Sequence, residues 1–240
     1  MSLCLCESFL GIILPTSSYR HLHVIASFFV VILVVSNIAS SAKIVDIGFS
    51  LFSIPLAFDG GTLLFPFAYV LGDVLTEVYG FRTARKVIWT GFIALGLSAL
   101  VFFVLGKLPP ESFWEAEAGS VAYNAVLGGI SSGGIVIASL CAYIAGELSN
   151  AAILSKLKVK MKGKMLWVRT IGSTLVGEFL DTLIFLSIAT AFGVFGREIF
   201  FGLLITNYIL KCGIEAAVTP FTYWACAFLK KKENIDVYDL

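Results

Sequence analysis

Apolar residues run along this chain in six long blocks, at 22–42, 62–80, 87–108, 134–154, 166–192 and 200–229, with short polar stretches between them. About 20 mostly apolar residues are needed for a helix to cross roughly 30 Å of hydrocarbon, and each block meets or approaches that length. Four of the blocks are broken by polar positions at helical spacing. Tyr69, Asp73 and Glu77 repeat at i, i+4 and i+8; Tyr143, Glu147 and Asn150 form a second line. Thr174, Glu178, Asp181 and Thr182 make a third, and Asn207, Lys211 and Glu215 a fourth. Residues three and four apart share one helix face, so each block reads as an apolar cylinder with one polar line.

Composition agrees with that pattern. The 240 residues are 58% hydrophobic and only 14% charged, with mean hydropathy +0.94; soluble domains run nearer about 45–50% apolar and about 25% charged. Intrinsic disorder and a disulfide scaffold are excluded, and a net charge of +1 leaves no basic excess for nucleic acid. The fold class is an all-α membrane protein, a bundle of six transmembrane helices. Residues 1–21 read as an N-terminal extension, 22–230 as a single six-helix transporter domain and 231–240 as a tail. Cys4 and Cys6 are too close to staple anything. Cys141, Cys212 and Cys226 lie in apolar runs, where cysteine behaves as a small hydrophobe.

Orientation follows from the cations. With the N-terminus inside, thirteen Lys and Arg fall in cytoplasmic segments: Arg20, Arg82, Arg85, Lys86, alternate lysines from Lys156 to Lys164, Arg169, and Lys230 to Lys232. Only Lys43, Lys107 and Arg197 fall outside, which obeys the positive-inside rule. Both termini are expected in the cytoplasm. The Lys156–Lys164 run reads as a topology determinant touching anionic headgroups, and Glu111, Glu115 and Glu117 mark an acidic external loop.

Six acids and one lysine within the spans are the main functional signal. A charge near a helix centre costs about 2.5–3.5 kcal/mol on insertion scales, so these groups must pair, protonate or line a polar cavity. Hydrogen-bonded glue between helices is the plain alternative, but glue would be better balanced in charge. An acid-rich cavity suits a ligand rich in N–H donors, a cation, or protons. Gly72, Gly146, Gly172, Gly177 and Gly213 beside the stripes let backbones approach. Pro66 and Pro220 are expected to kink their helices. The strings Gly72–Glu77 and Gly177–Thr182 are alike on oppositely directed spans, which hints at an inverted repeat. An enzyme is disfavoured: His21 and His23 lie outside the stripes, and no nucleophile motif or metal-ligand spacing appears. No P-loop is present, and no cofactor is implied.

The same residues carry a family resemblance. Ser36-Asn37 with Lys43 precedes Pro66-x-x-Tyr69-x-x-Gly72-Asp73-Val-Leu-Thr-Glu77-Val-Tyr79-Gly80 with Arg82 and Ala84-Arg85. Gly146-Glu147-x-x-Asn150 follows with Lys156 and Lys158, then Arg169-x-x-x-Ser173-Thr174, Asp181-Thr182-x-x-Phe185, Lys211 and Thr219-Pro220-x-x-Tyr223. In this order over residues 22–230 they resemble the queuosine precursor transporter family, earlier grouped with vitamin uptake transporters. The N-terminal extension departs from the family, as does the acid at Glu178, where the family often shows an amide. The resemblance implies uptake of deazaguanine bases, namely the cyano form, the aminomethyl form or queuine. It also implies a fold similar to the membrane subunits of energy-coupling-factor vitamin importers, working without an obligate ATPase partner. The alternatives are such a vitamin-importer subunit itself or an intramembrane hydrolase. Candidate substrate-binding residues are Asn37, Tyr69, Asp73, Glu77, Tyr143, Glu147, Asn150, Asp181, Thr182 and Lys211. Arg169, Glu178 and Glu215 are candidates for gating or charge pairing, with Lys211 read as a counter-ion for Glu215 or Asp181. Tyr69 or Tyr143 would supply a stacking face. The expected partners are a small nucleobase-like molecule and membrane lipid, with no nucleic acid.

Overall fold

The computed structural model describes residues 19–51, 54–117, 119–131, 133–193 and 196–239. Most of the expected N-terminal extension, including Cys4 and Cys6, lies outside them. The described chain is built from helices α1 (Leu22–Ala42), α2 (Phe65–Tyr79), α3 (Phe81–Leu105), α4 (Ser112–Glu117), α5 (Gly119–Ser131), α6 (Gly133–Lys160), α7 (Leu166–Ala191) and α8 (Phe200–Glu233). One antiparallel hairpin, β1 (Ile44–Leu51) with β2 (Ile54–Asp59), joins α1 to α2, in register from Ile44 opposite Asp59.

Five helices, α1, α3, α6, α7 and α8, are long and apolar enough to cross a membrane. The apolar block at 62–80 behaves differently. A 3-10 turn (Gly60–Leu63) opens it and leaves α2 only 15 residues, about 22 Å at 1.5 Å per residue. Asp59 starts that turn by accepting from the Gly61 and Thr62 amides (3.0 and 3.2 Å) and is tied to α1 by the Ser40 hydroxyl (2.5 Å). Pro66 sits in the first turn of α2, where no intrahelical N–H is required. The expected kink at Pro66 is therefore absent, while Pro220 does lie inside α8.

Burial is inverted relative to a water-soluble bundle. Phe28, Val31 and Val35 on α1, Ile93, Leu97, Leu100 and Val104 on α3, and Phe201, Ile205 and Ile209 on α8 are exposed, whereas among the described residues twenty-three polar or charged ones are buried. Only lipid makes that arrangement favourable, because polar groups in a bilayer must be satisfied inside the protein. α2 is the axis of the bundle. Every residue from Gly72 to Tyr79 is buried, with α1, α3, α6 and α8 packed around it.

Two short helices replace the expected loop between the third and fourth apolar blocks. The Glu111 carboxylate accepts from the Phe113 and Trp114 amides (3.0 and 2.9 Å), and these bonds hold it below its ordinary pKa. Glu115 accepts from the Ser120 amide and hydroxyl. Glu111 and Glu115 are thus helix-end ligands. α5 is docked on α1 by Ser41 Oγ to Val126 O (2.8 Å) and on α3 by Tyr123 Oη to Phe102 O (2.5 Å).

Candidate functional site

The polar stripes meet in two separate layers. The first lies at the C-terminal end of α2. Glu77 receives both guanidinium nitrogens of Arg169, Nη1 to Oε2 and Nη2 to Oε1 (3.1 Å), together with Lys230 Nζ at 2.7 Å. Arg169 is fully buried and gives two further donors to the carbonyls of Lys164 and Gly163 (both 3.0 Å). Lys158 Nζ donates to the Glu77 carbonyl (2.6 Å), the Val237 carbonyl (2.7 Å) and Asp236 Oδ1 (2.5 Å). Asp236 also pairs with Lys230 at 2.8 Å.

The chain beyond α8 folds back to complete this layer. Asp239 accepts from the Phe81 and Arg82 amides (2.5 and 3.0 Å) at the start of α3. Gly80 makes that possible: its φ is +85°, and a Cβ there would stand 2.6 Å from Asp239 Oδ1, so glycine is required twice over. Across the same end, Glu233 accepts from the His21 amide (2.6 Å) and ring (2.9 Å) and the Tyr79 hydroxyl (3.3 Å). The two ends of the described chain therefore lie together.

The second layer is one turn deeper along α2, about 6 Å for four residues. It brings together Tyr69 and Asp73 of α2, Glu147 and Asn150 of α6, Glu178, Asp181 and Thr182 of α7, and Lys211 and Glu215 of α8. Asn150 Nδ2 donates to Asp73 Oδ1 (2.8 Å). Lys211 Nζ lies 2.7 Å from Asp181 Oδ2 and 3.1 Å from Glu178 Oε2, with the Phe65 ring 4.8 Å away. The Thr174 hydroxyl donates to Glu215 Oε1. Five acids thus share this layer with one lysine, which two of them touch, and several buried atoms of the layer have no hydrogen-bond partner among the described residues: Tyr69 Oη, Glu147 Oε2, Asn150 Oδ1, Glu178 Oε1, Thr182 Oγ1 and Glu215 Oε2. Unpaired buried acceptors are costly, about 1–3 kcal/mol each, which makes this layer the candidate site.

Two glycines shape this layer. A Cβ on Gly146 would come within 2.5 Å of Tyr69 Oη and 3.1 Å of the Gly177 carbonyl, and one on Gly177 within 2.8 Å of Asn150 Cβ. α6 and α7 therefore cross backbone to backbone, with Tyr69 lying along the seam. A Cβ on Gly72 would meet Glu147 Oε2 at 3.0 Å. Gly213 faces open space and Gly172 makes only ordinary contact, so these two do not serve the close approach expected from their sequence position.

Most of the candidate residues converge. Tyr69, Asp73, Glu147, Asn150, Asp181, Thr182, Lys211, Glu178 and Glu215 fall in the deeper layer. Glu77 and Arg169 do not; they hold each other at the end of the bundle, where Glu77 has no oxygen free. Lys211 pairs with Asp181 and Glu178, and Glu215 turns to Thr174 instead. Tyr143 is buried, but its hydroxyl donates to the Ile88 carbonyl (2.8 Å), toward α3. Asn37 donates to Leu33 O of its own helix (2.9 Å). Lys158, read from sequence with the headgroup-facing lysines, is 2% exposed and belongs to the end layer. So do Lys230, Asp236 and Asp239, which the sequence reading left without a role. The signal was present for two of them: Glu147, Asn150, Leu154 and Lys158 continue one helical line, as do Lys211, Glu215, Thr219, Thr222, Cys226 and Lys230.

Comparison with known proteins gives the architecture a family. Residues 59–225, which contain both glycine-lined helices and every acid of the deeper layer, match the family described as "Putative vitamin uptake transporter". The chain is 26% identical over 175 residues to a "Probable queuosine precursor transporter" of Bacillus subtilis, covering 72% of this chain and 74% of that one. A protein of the same name from Haemophilus influenzae is 30% identical over 129 residues, 54% of this chain and 50% of that one. The "Queuosine precursor transporter" of Escherichia coli is 24% identical over 174 residues, 72% of this chain and 71% of that one. No solved structure matches. The match spans more than half of the chain and coincides with the lipid-facing, polar-cored bundle, so the chain belongs to this transporter family, as a multi-pass integral membrane protein that moves a solute and is not an enzyme.

Proposed function

We propose that this chain imports queuosine precursors, deazaguanine bases carrying a cyano or aminomethyl group, or queuine. The observation that carries the reading is the set of acceptors without a partner among the described residues, in a layer of four buried acids and the half-buried Asp181. A guanine-like edge presents a ring N–H beside an exocyclic amine, and a carboxylate with a neighbouring amide oxygen accepts both. Glu147 Oε2 and Asn150 Oδ1 are the atoms assigned to that edge. Asp73 holds Asn150 in place through the 2.8 Å bond, and Asp181, Glu178 and Lys211 form the polar wall. Hydrogen bonds to a charged acceptor are worth about 1.5–3 kcal/mol each, enough to select donor-rich bases. The names of the three relatives support the same substrate class.

In this reading the chain crosses the membrane six times, α2 with the turn before it serving as the short crossing. The cation-rich end that holds Glu77, Arg169 and both described chain ends faces the cytoplasm. The arrangement is taken to be similar to the membrane subunits of energy-coupling-factor importers, with transport independent of an ATPase partner. A strain unable to make its own precursor, given low external concentrations, is expected to modify its tRNA only when this chain is expressed. Uptake of riboflavin or biotin in place of the deazaguanines would instead identify a vitamin importer and overturn the proposal.

A further inference from the structure

Tyr69 is 2% exposed, and its ring lies along the bare seam between α6 and α7, with Cε1 3.2 Å from where a Cβ on Gly177 would be. The stacking role expected from sequence is thus replaced by an edge packed against backbone. What the ring delivers to the deeper layer is its hydroxyl, beside the position a Cβ on Gly146 would take, itself 2.8 Å from Asp181 Cβ. That hydroxyl has no hydrogen-bond partner among the described residues.

The unpartnered atoms of this layer divide by chemistry. Asn150 Oδ1 only accepts, as do Glu147 Oε2 and Glu215 Oε2 when ionised; Tyr69 Oη and Thr182 Oγ1 can donate. A guanine-like edge divides in the complementary way, two donors beside one carbonyl acceptor. Acceptors alone would read the amine and ring N–H but would leave the carbonyl oxygen unpaired in a buried site. We propose that the Tyr69 hydroxyl donates to the carbonyl oxygen of the base and so sets the preference for a lactam. This rests on the deazaguanine reading above. Tyr69 is favoured over Thr182 by its place on α2: it is one turn before Gly72, against which Glu147 Oε2 lies. The hydroxyl itself lies beside Gly146, the residue before Glu147, so the donor and the carboxylate enter the layer at neighbouring positions of α6.

The test is uptake into membrane vesicles carrying the full chain, using cyano-substituted deazaguanine and its thione analogue. Sulfur there replaces the carbonyl oxygen as a much weaker acceptor, while both donors remain. Wild type is expected to take up the carbonyl base about tenfold better than the thione, one hydrogen bond's worth. Tyr69→Phe should lose about tenfold on the carbonyl base and little on the thione, so that the preference collapses. Equal loss on both bases would make Tyr69 a packing residue and overturn the proposal. A preference retained in Tyr69→Phe, or abolished instead by Thr182→Val, would also overturn it. Failure of wild type to carry either base would remove the deazaguanine reading itself, an outcome distinct from the other three.

Discussion

Glu147 and Asp73 carry the same chemistry one helix apart, yet the structure sets them different tasks. Asp73 is occupied by the Asn150 amide, whereas Glu147 leaves one oxygen without a partner. Glu147→Gln is therefore expected to lower uptake tenfold or more while membrane abundance holds, since no internal bond of that oxygen is lost and an amide is cheaper to bury. Asp73→Asn should cost less, because the new amide can turn its oxygen toward Asn150. Normal uptake by Glu147→Gln would move the recognition of the base elsewhere in the layer. The seam makes a second prediction. Gly146→Ala places a methyl group against Tyr69 Oη and Asp181 Cβ (2.5 and 2.8 Å), an overpacking that costs about 1–3 kcal/mol. Thermal unfolding of the purified protein in detergent should shift down for Gly146→Ala and stay unchanged for Gly213→Ala, which meets nothing within 4 Å. At this scale the sequence was informative in part: stripe spacing put the right side chains on one face. It could not show that Glu77 and Asp73, on one line of one helix, answer to different partners, because depth and partner choice are settled by the neighbouring helices.

Helix α2 is held by its neighbours along its C-terminal half. Too short to match the bilayer alone and buried from Gly72 to Tyr79, it is fastened at its end by Arg169 of α7 and Lys230 of α8, both bonded to Glu77. The planar, two-pronged contact of Arg169 cannot be reproduced by an ammonium group. Arg169→Lys should therefore reduce thermal stability, and Arg169→Ala, which strands one partner of a buried pair, should cost about 3–5 kcal/mol. Unchanged unfolding of the solubilised Arg169→Ala protein would mean that Lys230 and Lys158 satisfy Glu77 by themselves. The long apolar blocks made α1, α3, α6, α7 and α8 legible from sequence because length and hydropathy decide them. The hairpin Ile44–Asp59 and helix α5 were not foreseen. Both are too short to read as spans and lie between the long apolar blocks, and their placement comes from contacts with α1, α3 and α8. The kink expected at Pro66 failed for a related reason. The block's hydropathy began at residue 62, but Asp59 spends the first turn on a 3-10 helix and leaves the proline at the helix start.

Across the whole molecule, charge is sorted by depth. The deeper layer is acid-rich and incompletely bonded, and the end layer is dense, balanced and sealed by residues 234–239. That seal is electrostatic at its centre, where Asp236 bridges Lys158 and Lys230 and the Tyr238 ring lies 4.4 Å from Lys158 Nζ. Partial burial pushes the Asp236 carboxyl up, but the hydrogen bonds from Lys158 and Lys230 outweigh it and hold the group below its ordinary value. A carboxyl depressed in the folded protein adds stability that is fully present above its unfolded pKa, about 3.9, and is lost as pH falls through the folded one. The tail should therefore stay docked at neutral pH and through mild acid, and loosen only below about pH 4. A thiol introduced by Val237→Cys reports this directly, since the Val237 carbonyl accepts from Lys158 and its amide approaches the Val78 carbonyl at 3.5 Å. In inside-out vesicles, labelling of that thiol by a membrane-impermeant maleimide at pH 7 should be slow. It should speed up when Asp236→Asn is added, because the amide keeps the shape of the bridge and removes its charge. The same labelling in sealed right-side-out vesicles should be negligible, which fixes the sealed end as cytoplasmic. Fast labelling from outside would reverse the topology and place the Glu77–Arg169 layer at the point of substrate entry, while equal rates with and without Asp236→Asn would show that the docked tail does not depend on its central ion pairs.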